Sequence, residues 1–167
     1  MSYVLIIGAK SDIAKELARV YAKNGYDLYL AARNCDNLND LSTDIKLRSN
    51  VDVKLCEFDI AKFETHKEFY DNLEIKPLGV IVVAGYMAEQ KECENDFEKT
   101  LNTINVNYTG AVSILNIIAN DMEKNKNGFI VGVSSVAGDR GRKANYIYGS
   151  SKAAFSAYLS GLRNRLF

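Results

Sequence analysis

The sequence predicts a single doubly wound α/β domain, a parallel sheet with helices on both faces. Three observations predict it. Short apolar, β-branched runs alternate with longer segments of helical period along the whole chain. Three of those runs are apolar nearly throughout, as strands buried on both faces of a parallel sheet are. The chain has 167 residues and 47% hydrophobic composition, enough for one core and too little for two comfortable domains.

Taken in order, YVLII (3–7) is the first strand and 12–24 the first helix. DLYLAA (27–32) reads as the second strand, 36–49 as a helix, VDVKLCEF (51–58) as the third strand and 62–73 as a helix. LGVIVVA (78–84) is the fourth strand, and a long helix over 96–124 follows it. That helix runs out in EKNKNG (123–128), a polar end with its stop glycine. GFIVGVS (128–134) is the fifth strand and 147–165 the last helix. The first, fourth and fifth strands are the continuously apolar ones. No internal repeat, linker or low-complexity tract interrupts the pattern.

Composition narrows the function. Lys plus Arg and Asp plus Glu number 21 each, so no net field recruits nucleic acid or an anionic membrane. Apolar runs such as Val80 to Ala84 fall far short of the ~18 residues a membrane span needs. The N-terminus has no basic region, and its apolar run stops at Ile7, which reads as a buried strand and not a signal peptide. Cys35, Cys56 and Cys93 are odd in number and lack metal-ligand spacing, as ordinary thiols in a reducing compartment would. The expectation is a soluble cytoplasmic chain without a metal site. His66, the one histidine, falls in the third helix away from every strand end and reads as a surface residue.

The first strand runs directly into GAKSDIAKELA. Gly8 permits a tight turn, and the next helix aims its free N–H groups and positive dipole end at whatever lies above. In a doubly wound fold that is where a dinucleotide pyrophosphate rests. The spacing Gly8-x-x-x-Asp12-x-Ala14 lacks two of the usual three glycines, so a well-capped turn with no ligand is the competing reading. Asp12 is unfavourable beside a pyrophosphate unless it points away; as a helix-start residue it could cap the backbone. The second strand ends Ala31-Ala32-Arg33-Asn34, with no acid to hold ribose hydroxyls. Arg33 sits where a 2′-phosphate would lie, with Lys10 and Ser11 in the facing loop, so the expected cofactor is NADP(H) over NAD(H). Alternatively, Arg33 is a solvated loop residue.

Tyr148 and Lys152 are four apart on a helix and share a face. A free phenol ionises near pH ~10, and a neighbouring ammonium favours the phenolate, which suits a proton donor at neutral pH. Tyr146 has Ser150 at the equivalent position and gains no charge. Ser135, thirteen residues before Tyr148, stands in VSSVAG at the end of the fifth strand, where open α/β sheets bind ligands. A plain strand-end turn is the alternative for Ser134 and Ser135.

GAKSDIA, FDI (58–60), VVAG (82–85), INVNYTG (104–110), SSVAG (134–138) and Tyr148-x-x-x-Lys152 occur in the order of the classical short-chain dehydrogenases/reductases. The chain resembles that family over essentially its whole length. The resemblance implies a Rossmann-like fold, with Tyr148 as general acid/base, Ser135 polarising a substrate carbonyl, and Lys152 holding the nicotinamide ribose. It implies that Asn107 is a helix-kink asparagine anchoring a relay water. Asp59, with Ile60 beside it, would contact adenine; Ala84 and Gly85 would line its far side. Gly8, Lys10, Ser11, Asp12, Ile13 and Arg33 complete the implied cofactor set. The implied reaction is reduction of a small-molecule carbonyl, with self-association through the helices around 107–124 and 147–165. Ala153, Ala157 and Gly161 form a small-residue stripe on the last helix, suited either to that association or to packing on the chain's own sheet.

INVNYTGAVS and SSVAGDRGRKANYIYGSSKA resemble the subgroup of reductases acting on polyprenyl-phosphate-linked 2-keto-pentoses. That resemblance implies a phosphate-bearing keto-sugar, which Arg140, Arg142 and Lys143 would suit. A solvated basic loop is the alternative. The family's next two strands and its Pro-Gly element are not in the sequence, whose one proline is Pro77. The expectation is a domain over 1–167 that is incomplete at its C-terminus, with the fifth strand as an uncovered edge. A non-catalytic NADP(H)-binding module is the alternative function.

Overall fold

Short, mostly apolar runs form the strands, and those of the sheet's centre are covered at every position. β1 (Tyr3–Ile7), β2 (Asp27–Ala32), β3 (Val53–Glu57), β4 (Gly79–Val82) and β5 (Phe129–Gly132) pair in parallel in the order β3-β2-β1-β4-β5. The computed structural model describes residues 2–167. Strand order reverses on the two sides of β1, which defines a Rossmann-like doubly wound sheet. Ile7 is in register with both Ala31 and Val82, so the carboxyl ends of β1, β2 and β4 finish level. Ala32 is in register with Glu57.

The chain divides into two compact units. One comprises the residues up to Asp59, Glu68–Ala84 and Lys126–Gly132 and contains the whole sheet. Val4, Leu5, Ile6, Leu28, Leu30 and Val80 are completely buried in it. α1 (Asp12–Lys23) and α2 (Asn39–Ser49) belong to this unit, and α1 buries Ala14, Ala18 and Ala22. Residues that small let a helix axis lie close to the strands it covers. The other unit comprises Ile60–Lys67, Gly85–Asn125 and Val133–Phe167. It holds α4 (Gln90–Asn95), α5 (Phe97–Ile104), a π-helical turn over Asn105–Thr109, α6 (Gly110–Asn125) and α7 (Tyr146–Leu166). Ile114, Leu115, Ile118 and Phe155 are its largest fully buried side chains. A short α3 spans His66–Asp71.

Several expectations change. β2, not β5, is buried at every position, while β5 lies at the edge and leaves Val131 40% exposed. The edge position itself agrees with the uncovered edge expected of the fifth strand, which there lacks one neighbour's cover. The long helix over 96–124 is α5, the π turn and α6, and the polar segment QKECEN ahead of it is a helix that hydropathy does not mark. The helix over 62–73 is a 3₁₀ turn at Phe63–Thr65 followed by α3. His66 is not a surface residue: it is 0% exposed, with Nδ1 3.0 Å from the Ser113 hydroxyl. The preceding 3₁₀ turn sets α3's register and turns His66 inward. Ala157 and Gly161 face solvent, and a Cβ on Gly161 would meet nothing within 4 Å.

Candidate functional site

In the sheet-containing unit, Gly8 leaves β1 with φ of 89°, a region open to glycine and costly for other residues. A Cβ there would lie 2.5 Å from the Ala84 nitrogen. Glycine is thus required twice, by conformation and by the close approach of the β4 exit. The Gly8 and Ala9 N–H groups both donate to the Ala31 carbonyl, at 2.9 and 3.1 Å. Ser11 is the N-cap of α1, its Oγ accepting from the Ala14 N–H at 3.2 Å. Asp12 does not cap. Its carboxylate pairs with Lys15 at 3.0 Å and its side chain is 97% exposed, so the charge that counted against an anion site turns out to solvent. Ile13 beside it is 57% exposed, an apolar side chain without cover at the helix start.

Arg33 and Lys10 are exposed and near each other: Lys10 Nζ donates to the Arg33 carbonyl at 3.4 Å. The Arg33 guanidinium makes no ion pair among the described residues. Asn34 follows with φ of 52°. That turn holds an acid the sequence reading missed. Glu57, at the end of β3, accepts the Asn34 and Cys35 N–H groups with its two carboxylate oxygens, each at 3.0 Å. These N–H groups, Cys35 first, hold the Glu57 carboxyl below the usual carboxylate range, and the nearby Lys10 charge adds to the effect. Asp59, expected at the adenine, is half-buried two residues further on.

In the other unit, a buried polar cluster forms around Asn107. The side chain is 1% exposed and sits inside the π turn. A π turn carries an extra residue in the helix, so the backbone kinks there. Asn107 Oδ1 accepts the Tyr86 N–H at 2.7 Å; Nδ2 donates to the Tyr86 carbonyl at 2.7 Å and to the Ser151 Oγ at 3.1 Å. Asn107 thereby ties the loop after Gly85 to α7. The Asn107 amide is thus spent on protein groups. Gly110 closes the π turn so tightly that a Cβ would strike the carbonyl of Ile60. Gly85 is exposed and Ile60 buried.

Lys152 is 3% exposed. Its ammonium donates to the Val133 carbonyl at 3.1 Å, and burial pushes its pKa below the ordinary lysine value. Its Nζ lies 6.0 Å from the Tyr148 ring centroid and 5.7 Å from that of Phe155. Ser135 Oγ accepts the Ala137 N–H at 3.1 Å and so caps a 3₁₀ turn, leaving its own O–H to donate elsewhere. Ser134 instead contacts the Lys152 carbonyl and, at 2.6 Å, the Ser156 hydroxyl. Gly138 and Gly149 let these segments close on one another: a Cβ on Gly138 would lie 2.8 Å from the Ala153 nitrogen, and one on Gly149 2.5 Å from the Ala137 carbonyl oxygen. Tyr146 bonds Glu94, and Gln90 accepts the Ile147 N–H at 3.2 Å, capping α7 from α4.

Beside the start of α7 is a cavity of about 680 Å³ whose lining includes Met87, Gln90, Glu94, Lys143, Asn145 and Tyr146. Of the three cations in the preceding loop only Lys143 lines it; Arg140 and Arg142 are exposed elsewhere on that loop. Ser151 and Gln90, like Glu57, escaped sequence reading. Ser151 carried a signal, standing next to Lys152 in SSKA; nothing in QKECEN marked Gln90.

The chain belongs to the short chain dehydrogenase family, whose profile matches residues 2–166. Among curated relatives, an uncharacterised oxidoreductase of Mycobacterium tuberculosis is 37% identical over 166 residues, covering 98% of this chain and 66% of that protein. An uncharacterised oxidoreductase of Myxococcus xanthus is 31% identical over 168 residues, again covering 98% of this chain and 66% of the relative. The chain thus spans just under two thirds of the length of these relatives. Among solved structures, a short-chain dehydrogenase from Sphingobium yanoikuyae in complex with NADPH superposes with a TM-score of 0.91 at 25% identity, covering 99% of this chain and 66% of that one. A bulky-bulky ketone specific alcohol dehydrogenase from Comamonas testosteroni shares the fold, with a TM-score of 0.90 at 21% identity and 99% and 68% coverage. No described helix is long and apolar enough to cross a membrane.

Proposed function

We propose that the chain is the core of an NADP(H)-dependent oxidoreductase that reduces a small-molecule carbonyl to an alcohol. One observation carries the reading: Lys152 keeps a nearly fully buried ammonium 6.0 Å from the Tyr148 ring, held by a single backbone carbonyl. A buried cation without a carboxylate partner costs stability, and no packing need of α7 calls for one. Such strain is expected where a charge is needed for chemistry.

The residues present fit a dinucleotide. Gly8 leaves a cradle that a Cβ would fill, Ile13 offers an uncovered apolar side chain, and Lys10 and Arg33 offer charge to a 2′-phosphate. Ser11, Asp59 and Ala84 complete the nucleotide end, with Asp12 present but turned to solvent. A bound nicotinamide supplies hydride to the carbonyl carbon. The chain's own groups do the rest. Tyr148, whose phenol hydroxyl is engaged by no described residue, donates the proton to the carbonyl oxygen. Ser135 aims its unspent O–H at the same oxygen, a preorganised contact worth about 2.7–4 kcal/mol in comparable sites. Lys152 places positive charge beside the phenol and keeps donors for a ribose. Asn107 positions these groups by locking α7 to the loop of Gly85 and Tyr86.

The cavity beside Tyr146 is the place for the substrate body. A phosphate-bearing keto-sugar would meet Lys143 and Lys91 there, with Glu89 and Glu94 opposing them. Self-association is proposed for the face where Ala157 and Gly161 stand exposed on α7. The test is Tyr148→Phe, measured as NADPH consumption across aldehydes, ketones and keto-sugars. Turnover of whichever substrate the wild type accepts should vanish, while NADPH affinity stays within about threefold. Surviving turnover would remove Tyr148 from the chemistry.

A further inference from the structure

Resting on that reading, we infer that Glu57 is a cofactor-specificity residue: its carboxylate occupies the turn beside Arg33 that a 2′-phosphate must approach, and it holds down the preference for NADPH over NADH. The sequence gives β2 no acid at its end, which by itself argues for unopposed binding of the phosphate. The sheet register overrides this. Ala32 is paired with Glu57, so the last residue of β3 lies beside the end of β2 and delivers an acid from the neighbouring strand.

The carboxylate is fixed there. Both oxygens are engaged, one by Asn34 N–H and one by Cys35 N–H at 3.0 Å each, and Asn34 adopts φ of 52° to present them. A carboxylate accepting two backbone N–H groups is an anion already in residence. Lys10, which reaches the same turn through the Arg33 carbonyl, is close enough to stabilise that charge. One of the two cations assigned to the 2′-phosphate is therefore partly neutralised before cofactor arrives, and only Arg33 is unspent. A doubly charged phosphate must then share Lys10 with Glu57 or displace the carboxylate from its N–H groups. NADH presents a neutral 2′-hydroxyl in the same place and meets neither cost; a hydroxyl can also donate to a carboxylate.

The experiment is a fluorescence titration of wild type, Glu57→Gln and Glu57→Asp with NADPH and with NADH, after circular dichroism has shown the variants folded. Glu57→Gln removes the charge and keeps a carbonyl oxygen for one N–H. It should tighten NADPH about tenfold, close to 1.4 kcal/mol, and leave NADH within about twofold. Glu57→Asp keeps the charge and should leave the NADPH-to-NADH ratio near the wild-type one. If Glu57→Gln shifts both cofactors alike, or neither, Glu57 merely staples the turn and the inference is overturned. The parent reading fails differently, by wild type binding neither cofactor, and the inference falls with it.

Discussion

Lys152→Met should make the protein more stable at neutral pH while removing a group the proposed chemistry needs. Methionine has nearly the length of the lysine stem and no charge. The substitution gives up one charge-assisted hydrogen bond, to the Val133 carbonyl at 3.1 Å, worth about 1.5–3 kcal/mol. Against that, the ammonium is 3% exposed and has no carboxylate partner among the described residues, so its desolvation, several kcal/mol in proteins, disappears. The balance is a gain of about 1–2 kcal/mol, or roughly 2–8 °C in Tm for a chain of this size. The pH dependence fixes the cause. Burial lowers the folded-state pKa of Lys152, so between that value and the ordinary ~10.4 the unfolded chain binds more protons. The penalty in wild type is complete below the lowered pKa and relaxes as pH rises through it. Thermal melts of wild type and variant without cofactor, at pH 7 and pH 10, should show a gap that narrows at the higher pH. A variant less stable at pH 7, or a gap indifferent to pH, would refute the reasoning.

Asn107→Ala removes an amide that makes three hydrogen bonds in a site 1% exposed. Leaving Tyr86 and Ser151 unpaired should cost about 2–5 kcal/mol in chemical denaturation; a cost below 1 kcal/mol would mean that the π turn holds without it. Gly8→Ala forces a side chain into φ of 89° and to 2.5 Å from the Ala84 nitrogen. It should destabilise by about 2–4 kcal/mol and weaken dinucleotide binding at least tenfold; unchanged binding in a folded variant would show that the Gly8 loop does not touch the cofactor.

Much of the sheet was readable because β1 and β2 keep every side chain buried, which leaves runs that are apolar apart from Asp27 at the start of β2. The limits of both strands agree with the residues read from the pattern. The edge position of β5 was expected from the family resemblance, and the sheet order agrees; the apolar run FIVG does not by itself differ in kind from GVIV, which is buried throughout. Tyr148 and Lys152 were singled out because a spacing of four puts them on one helix face, Ser135 because it stands at a strand end, and Asn107 only through the family resemblance. Glu57 was not, since its position at the Arg33 turn depends on a pairing register, and Gln90 acts through a hydrogen bond from a short polar helix. His66 failed for a related reason: a lone histidine in a polar-looking segment gives no hint that a 3₁₀ turn will point it inward. For Asp12 the error was one residue of capping register, Ser11 taking the role.

The most direct test is a fluorescence titration of the 167-residue chain with NADPH and NADH in parallel. Saturable binding of both, NADPH the tighter, is the result expected from the Gly8 cradle and the unspent charge of Arg33. Saturation by neither would contradict the dinucleotide site itself, and tighter binding of NADH would contradict the role given to Arg33.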